Sequence, residues 1–71
     1  MTIRKIIAEA LSLPLERITP QAAMEVLTEW DSIGHLNILA ALEQHFGKEV
    51  PFDLITELTD VRSLQRYFGT K

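Results

Sequence analysis

Residues 31–47 read "DSIGHLNILAALEQHFG". Asp31 is a residue type whose side chain accepts a backbone N–H at a helix start, and Gly47 is the type that a left-handed helix end prefers. The spacing between them predicts one helix, beginning at Asp31 or Ser32 and ending at Phe46. At about 100° per residue, Ile38, Leu39, Leu42 and Phe46 share one side, with His35 between them, and form the natural core face. Ile33, Leu36 and Ala40 make a second apolar stripe on roughly the opposite side, interleaved with Asn37 and Gln44. A helix that is apolar all round belongs in a large interior. A chain of 71 residues has no such interior, because it buries only about 60 % of the surface its unfolded form exposes. Two outcomes are open for the stripe: a neighbouring segment folds over it, or it stays at the surface as a docking face for partner proteins.

Working outward, Ile3, Ile6, Ile7, Ala10 and Leu11 recur at helical spacing behind Thr2, which predicts a first helix from about residue 2 to 12. Pro14 biases Leu13 toward extended geometry and stops it. The long connection "LPLERITPQAAMEVLTEW" follows, with Thr19-Pro20 placed as a cap and a first helical residue. Short helical turns are expected in it. Its apolar residues Leu15, Ile18, Met24, Val26, Leu27 and Trp30 suggest a segment packed down on the core. Beyond Gly47, a short helix is expected around Asp53 to Glu57. A last helix is expected behind Thr59, with Val61, Leu64 and Phe68 inward and Gly69 at its end. No period-2 alternation appears, so the fold class is all-α: a single domain over 1–71, with three main helices, one short helix and a long first loop.

Bulk properties narrow the function. The chain has no cysteine, hence no disulfide framework and no thiolate metal site. His35 and His45 lack partners at ligand spacing, so no metal is expected. A net charge of −3 without a basic cluster argues against nucleic acid, and a helix-turn-helix DNA binder would need a basic recognition helix. The longest unbroken apolar run, Ile38 to Leu42, is far short of a membrane span, and the N-terminus lacks the layout of a signal peptide. The expectation is a cytoplasmic, monomeric chain with no membrane partner, and its short termini point to a free-standing protein.

With Asp31 as the cap, Ser32 takes the first helical position, its side chain turned to water. A phosphate on that oxygen would sit beside unpaired backbone N–H groups at the positive end of the helix dipole. The same dipeptide is also a common purely structural helix start. Self-activated nucleophilic chemistry is disfavoured, because His35 is the only nearby base, it lies toward the core, and no carboxylate is arranged to orient it. Gly34, costing about 1 kcal/mol relative to alanine, either admits a close approach to the backbone or is simply tolerated. Arg4, Lys5, Arg62 and Arg66 read as solvated helix faces, and His35 as a packed core-edge residue hydrogen-bonded to the first connection.

The block "WDSIGHLNILAALEQHFGKEVP", with "IIAEALSLPLERITP" before it and "LTDVRSLQRYF" after it, resembles an acyl or peptidyl carrier protein over essentially the whole chain. Asp31-Ser32-Ile33 is similar to that family's Asp-Ser-Leu. The resemblance implies a four-helix bundle, no enzymatic activity, and a Ser32 esterified by 4'-phosphopantetheine, transferred from coenzyme A by a phosphopantetheinyl transferase. Its thiol would hold acyl or aminoacyl intermediates as thioesters. The partners implied are an acyl- or aminoacyl-loading enzyme and a downstream synthase or transferase. The exposed positions of the second helix that such partners read correspond to Ile33, Leu36, Asn37 and Ala40. The gap between second and third helices, which in this family can admit an acyl chain, makes Leu58 and Val61 candidate pocket walls.

The chain also departs from the fatty-acid members of that family, which resemble an acidic rod. Only Glu43 is acidic between Ser32 and Phe46, Gly34 and Asn37 stand where carboxylates are frequent, and Trp30 replaces a small residue. A nearly neutral face relies more on apolar contact than on charge steering. The expectation is therefore a specialised pathway such as polyketide or nonribosomal-peptide synthesis. The alternative is an unmodified helical interaction module using the same stripe.

Overall fold

The computed structural model describes residues 2–69. These described residues form four α-helices, α1 (Ile3–Leu11), α2 (Ser32–Phe46), α3 (Phe52–Ile55) and α4 (Val61–Phe68), with a 3-10 turn at Leu15–Arg17 in the long first connection. The all-α architecture and the order of helices are those expected from the sequence.

Local chemistry sets the helix ends. The Thr2 hydroxyl accepts the Lys5 N–H and starts α1. At its other end Ser12 adopts a left-handed conformation (φ 58°), and the N–H groups of Ser12 and Leu13 return to the carbonyls of Glu9 and Ala8. Asp31 caps α2 by accepting the Gly34 N–H at 2.7 Å, and Gly47 ends it at φ 65°. The last helix begins one residue later than the Thr59 cap predicted. Asp60 accepts the Ser63 N–H at 2.7 Å, and the Ser63 hydroxyl oxygen accepts the Asp60 N–H in return at 3.4 Å, a capping box; the hydroxyl itself donates to the Asp60 carbonyl at 3.1 Å. Thr59 is unavailable for that role because its carbonyl accepts the Met24 N–H at 2.8 Å. The short helix also starts earlier than expected, since Pro51, with φ −59°, leads directly into its first turn at Phe52.

The core forms around α1 and α2. Ile3, Ile6, Ile7, Ile18, Trp30, Ile38, Leu39, Leu42, Val61 and Leu64 are buried together, and Phe46 stacks on Phe68 with centroids 5.2 Å apart. The long connection is only partly packed down. Ile18, Leu27 and Trp30 are buried, but Leu15 and Val26 are exposed. The turn in which Val26 and Leu27 both bond the Ala23 carbonyl sends Ala23 and Leu27 inward and Val26 outward. No helix begins at Pro20: the Ala22 N–H closes a turn on Thr19, and the chain then pairs Ala23 with Asp60 in an isolated antiparallel bridge. Two side chains tie the connection down further. Arg4 donates through Nε to the Ile18 carbonyl, so it is a structural anchor and not a solvated side chain. Arg17 pairs with Glu29 at 3.0 Å on the surface, where solvent screening leaves such a pair little weight in stability.

The Ser63 hydroxyl, followed by the Ser63 backbone N–H, holds the Asp60 carboxyl below the usual carboxylate range. A carboxyl whose native pKa is depressed contributes stability above its unfolded value, about 3.9, and loses it as pH falls through the lower native value. Asp60→Ala should therefore lose about 0.5–2 kcal/mol near neutral pH. In urea titrations the gap to wild type should narrow steadily below about pH 4.

Candidate functional site

The first turn of α2 is where the connection, α2 and α3 meet. Ser32 occupies the first helical position and is exposed. Two surface hollows flank it. One, about 360 Å³, is lined by Met24, Val26, Leu27, Trp30, Asp31 and Ser32 among others. The second, about 260 Å³ and mostly apolar, lies between α2 and the α3 region and is lined by Met24, Ser32, His35, Leu36, Ile55, Thr56 and Thr59. Met24, Thr56 and Thr59 were not singled out from the sequence as site residues. Their proximity to Ser32 depends on the bridge between Ala23 and Asp60 and on the turn after α3, neither of which leaves a periodic signal.

Beneath Ser32 the polar groups are buried and paired. His35 is buried, and both ring nitrogens are engaged: Trp30 Nε1–H donates to Nδ1 at 2.9 Å, and Nε2 lies 2.7 Å from the Ile55 carbonyl oxygen. Indole nitrogen can only donate, so Nδ1 accepts and the ring proton sits on Nε2, donating to Ile55. The two rings also stack, with centroids 6.0 Å apart. His35 therefore bonds to the first connection, as expected, and also joins α2 to α3. With both nitrogens committed, it is not a base for Ser32.

Gly34 is a requirement of close packing. A Cβ there would lie 2.8 Å from the Glu29 carbonyl oxygen and 2.8 Å from a Leu11 methyl. The approach that Gly34 admits is that of the protein's own connection and first helix.

The second stripe of α2 lies uncovered: Ile33 is 72 % and Leu36 56 % exposed, and Asn37 and Ala40 are exposed with them. No segment among the described residues folds over it. Leu58 and Val61 are buried in the core and do not line the hollow beside Ser32. The acidic group of α2, Glu43, accepts the Val50 N–H at 2.7 Å, which ties it to the following loop. Among the described residues no cluster of three or more His, Cys, Asp or Glu side chains could hold a metal ion, and no helix is long and apolar enough to cross a membrane.

Ser32 is exposed at the start of α2. Its hydroxyl has no partner among the described residues, in contrast to that of Ser63. The first N–H groups of α2 have no carbonyl in their own helix, and Asp31 takes only that of Gly34. Such unpaired N–H groups at the positive end of a helix favour an anion nearby.

Gly34→Ala should destabilise by about 1–3 kcal/mol, because the carbonyl of Glu29 is backbone and yields poorly. An ordinary exposed helix would instead gain about 1 kcal/mol from that change. The midpoint of urea unfolding distinguishes the two signs.

Comparison with known proteins agrees with this geometry. The sequence profile described as the phosphopantetheine attachment site matches residues 2–68. The acyl carrier protein of Thermosynechococcus vestitus is 28% identical over 69 residues, covering 97% of this chain and 85% of that one. The acyl carrier protein of Helicobacter pylori strain G27 is 29% identical over 65 residues, covering 92% and 83%. The chain belongs to the phosphopantetheine attachment site family, non-enzymatic carriers in which a serine bears covalently attached 4'-phosphopantetheine.

Proposed function

We propose that Ser32 is the serine of this chain that bears the arm, and that Ile33, Leu36, Asn37 and Ala40 form the face on which partner enzymes dock. The observation that carries the first point is the contrast among the three serines of the sequence. Ser63 is occupied in the α4 capping box. Ser12 sits at the carbonyl end of α1, where a phosphate would meet the negative end of the dipole. Ser32 alone combines an exposed hydroxyl with the positive end of a 15-residue helix.

When bound, phosphopantetheine supplies a terminal thiol for acyl or aminoacyl thioesters. The chain's own residues hold the attachment point. Asp31 fixes the first turn through Gly34, Trp30 and His35 brace it from below, and the hollow between α2 and α3 gives the arm an apolar surface next to Ser32. The exposed apolar stripe supports recognition by contact with a phosphopantetheinyl transferase, a loading enzyme and a downstream synthase or transferase.

With Glu43 bonded to Val50 and no other carboxylate between Ser32 and Phe46, this face has little charge with which to attract basic enzyme surfaces at a distance. That supports service in a specialised pathway, of the polyketide or nonribosomal-peptide kind, over housekeeping fatty-acid synthesis.

Incubation with coenzyme A and a promiscuous phosphopantetheinyl transferase should add the mass of one phosphopantetheinyl group. Ser12→Ala and Ser63→Ala should keep that gain and Ser32→Ala should abolish it. An unmodified interaction module would show no gain in any form. Leu36→Asp should leave unfolding within about 0.5 kcal/mol of wild type while slowing arm transfer by roughly tenfold or more, the equivalent of about 1.4 kcal/mol of lost contact. A large stability loss would mark Leu36 as core and remove it from the docking face.

A further inference from the structure

We propose that Trp30 and His35 are positioning residues for arm attachment, forming a hydrogen-bonded staple across the start of α2 that fixes how Ser32 is presented to a phosphopantetheinyl transferase. The inference rests on Ser32 as the attachment point. Asp31 is the N-cap of α2, so Trp30 is the residue before the cap and His35 the fourth residue of the helix. A pair of side chains at those two positions commonly packs as an apolar staple, which sets the angle at which the chain enters the helix. Apolar contact alone tolerates sliding and rotation. Here the contact is directional: the indole N–H donates to Nδ1 at 2.9 Å, and the rings lie 30° from parallel with centroids 6.0 Å apart.

Neither partner can exchange the other for water, because Trp30 is 1 % and His35 4 % exposed. The far edge of the imidazole is held as well, by the Ile55 carbonyl at 2.7 Å, so the ring cannot follow a shift of the connection without giving up a buried bond. Along the backbone, the Trp30 N–H bonds the Leu27 carbonyl at 3.1 Å, and the His35 N–H bonds the Asp31 carbonyl at 2.7 Å. Ser32 lies between these two fixed residues and is itself exposed. In the transfer, its oxygen bonds to the phosphorus that bears the pantetheine arm as the bond from that phosphorus to the rest of coenzyme A breaks, releasing adenosine bisphosphate. The hydroxyl proton passes to a base of the transferase. Such a displacement depends on the direction of approach, and a misplacement of about 1 Å can cost roughly 100-fold in rate. The staple sets that direction before the enzyme arrives.

The test uses the whole chain with coenzyme A and a promiscuous phosphopantetheinyl transferase, at varied carrier concentration, with circular dichroism confirming that each variant is folded. Trp30→Phe keeps a buried ring and removes the N–H. His35→Leu removes both ring bonds, whereas the amide of His35→Gln can accept from the indole and donate to Ile55. Trp30→Phe and His35→Leu should lower kcat roughly tenfold or more with KM within about twofold of wild type, and His35→Gln should recover most of kcat. Leu36→Asp, on the docking face, should instead act through KM. Equal kcat in His35→Leu and His35→Gln, or losses confined to KM, would overturn the positioning role. In unmodified wild type the indole N–H should exchange with deuterium as slowly as the amides of Ile38 and Leu42. Exchange as fast as that of an exposed indole would overturn the staple even if no variant folds. Arm transfer that persists in Ser32→Ala would sink the attachment reading separately, leaving the exchange result standing.

Discussion

The imidazole of His35 is the junction on which the site depends. It accepts from Trp30 at the end of the long connection and donates to Ile55 at the end of α3, while its own backbone belongs to the first turn of α2. Three segments that have few other polar links are thereby fixed relative to one another beneath Ser32. In a protein with one thin core, a buried polar pair of this kind costs free energy unless every donor and acceptor is matched. Here no buried side-chain nitrogen or oxygen among the described residues is without a partner. The serine can stay exposed and unencumbered because its support lies one turn away.

The second constraint is steric. Gly34 allows the Glu29 carbonyl and Leu11 to press against the α2 backbone, which brings the end of the connection close enough for Trp30 to be buried under the helix start. Arg4 and the bridge between Ala23 and Asp60 hold the same connection at its beginning and middle. The long first loop is thus a structural wall of the site, attached to α1, the start of α4 and α2 in turn.

Features governed by neighbours in sequence were legible before the structure. The caps at Thr2, Asp31, Gly47 and Gly69, the core face of α2 and the exposed position of Ser32 all follow from local backbone chemistry and helical periodicity. Features decided by distant segments were not. Thr59 and Asp60 are both good cap types, and pairing with residues 22–24 assigned the role to Asp60. The anchoring of Ile18 by Arg4 and the second bond of His35 join elements that no spacing rule connects. The second stripe of α2 was ambiguous for the same reason, since only the path of the connection decides whether it is covered.

Glu43 carries a kinetic implication. Its carboxylate is turned onto the Val50 amide, where it organises the exit from α2 and adds little to the outward field. Steering by charge along α2 itself is correspondingly small, and the exposed carboxylates nearest its first turn, Glu29 and Asp31, stand before or at its start. The one carboxylate within α2 thus serves the fold, shaping the turn that leads into α3.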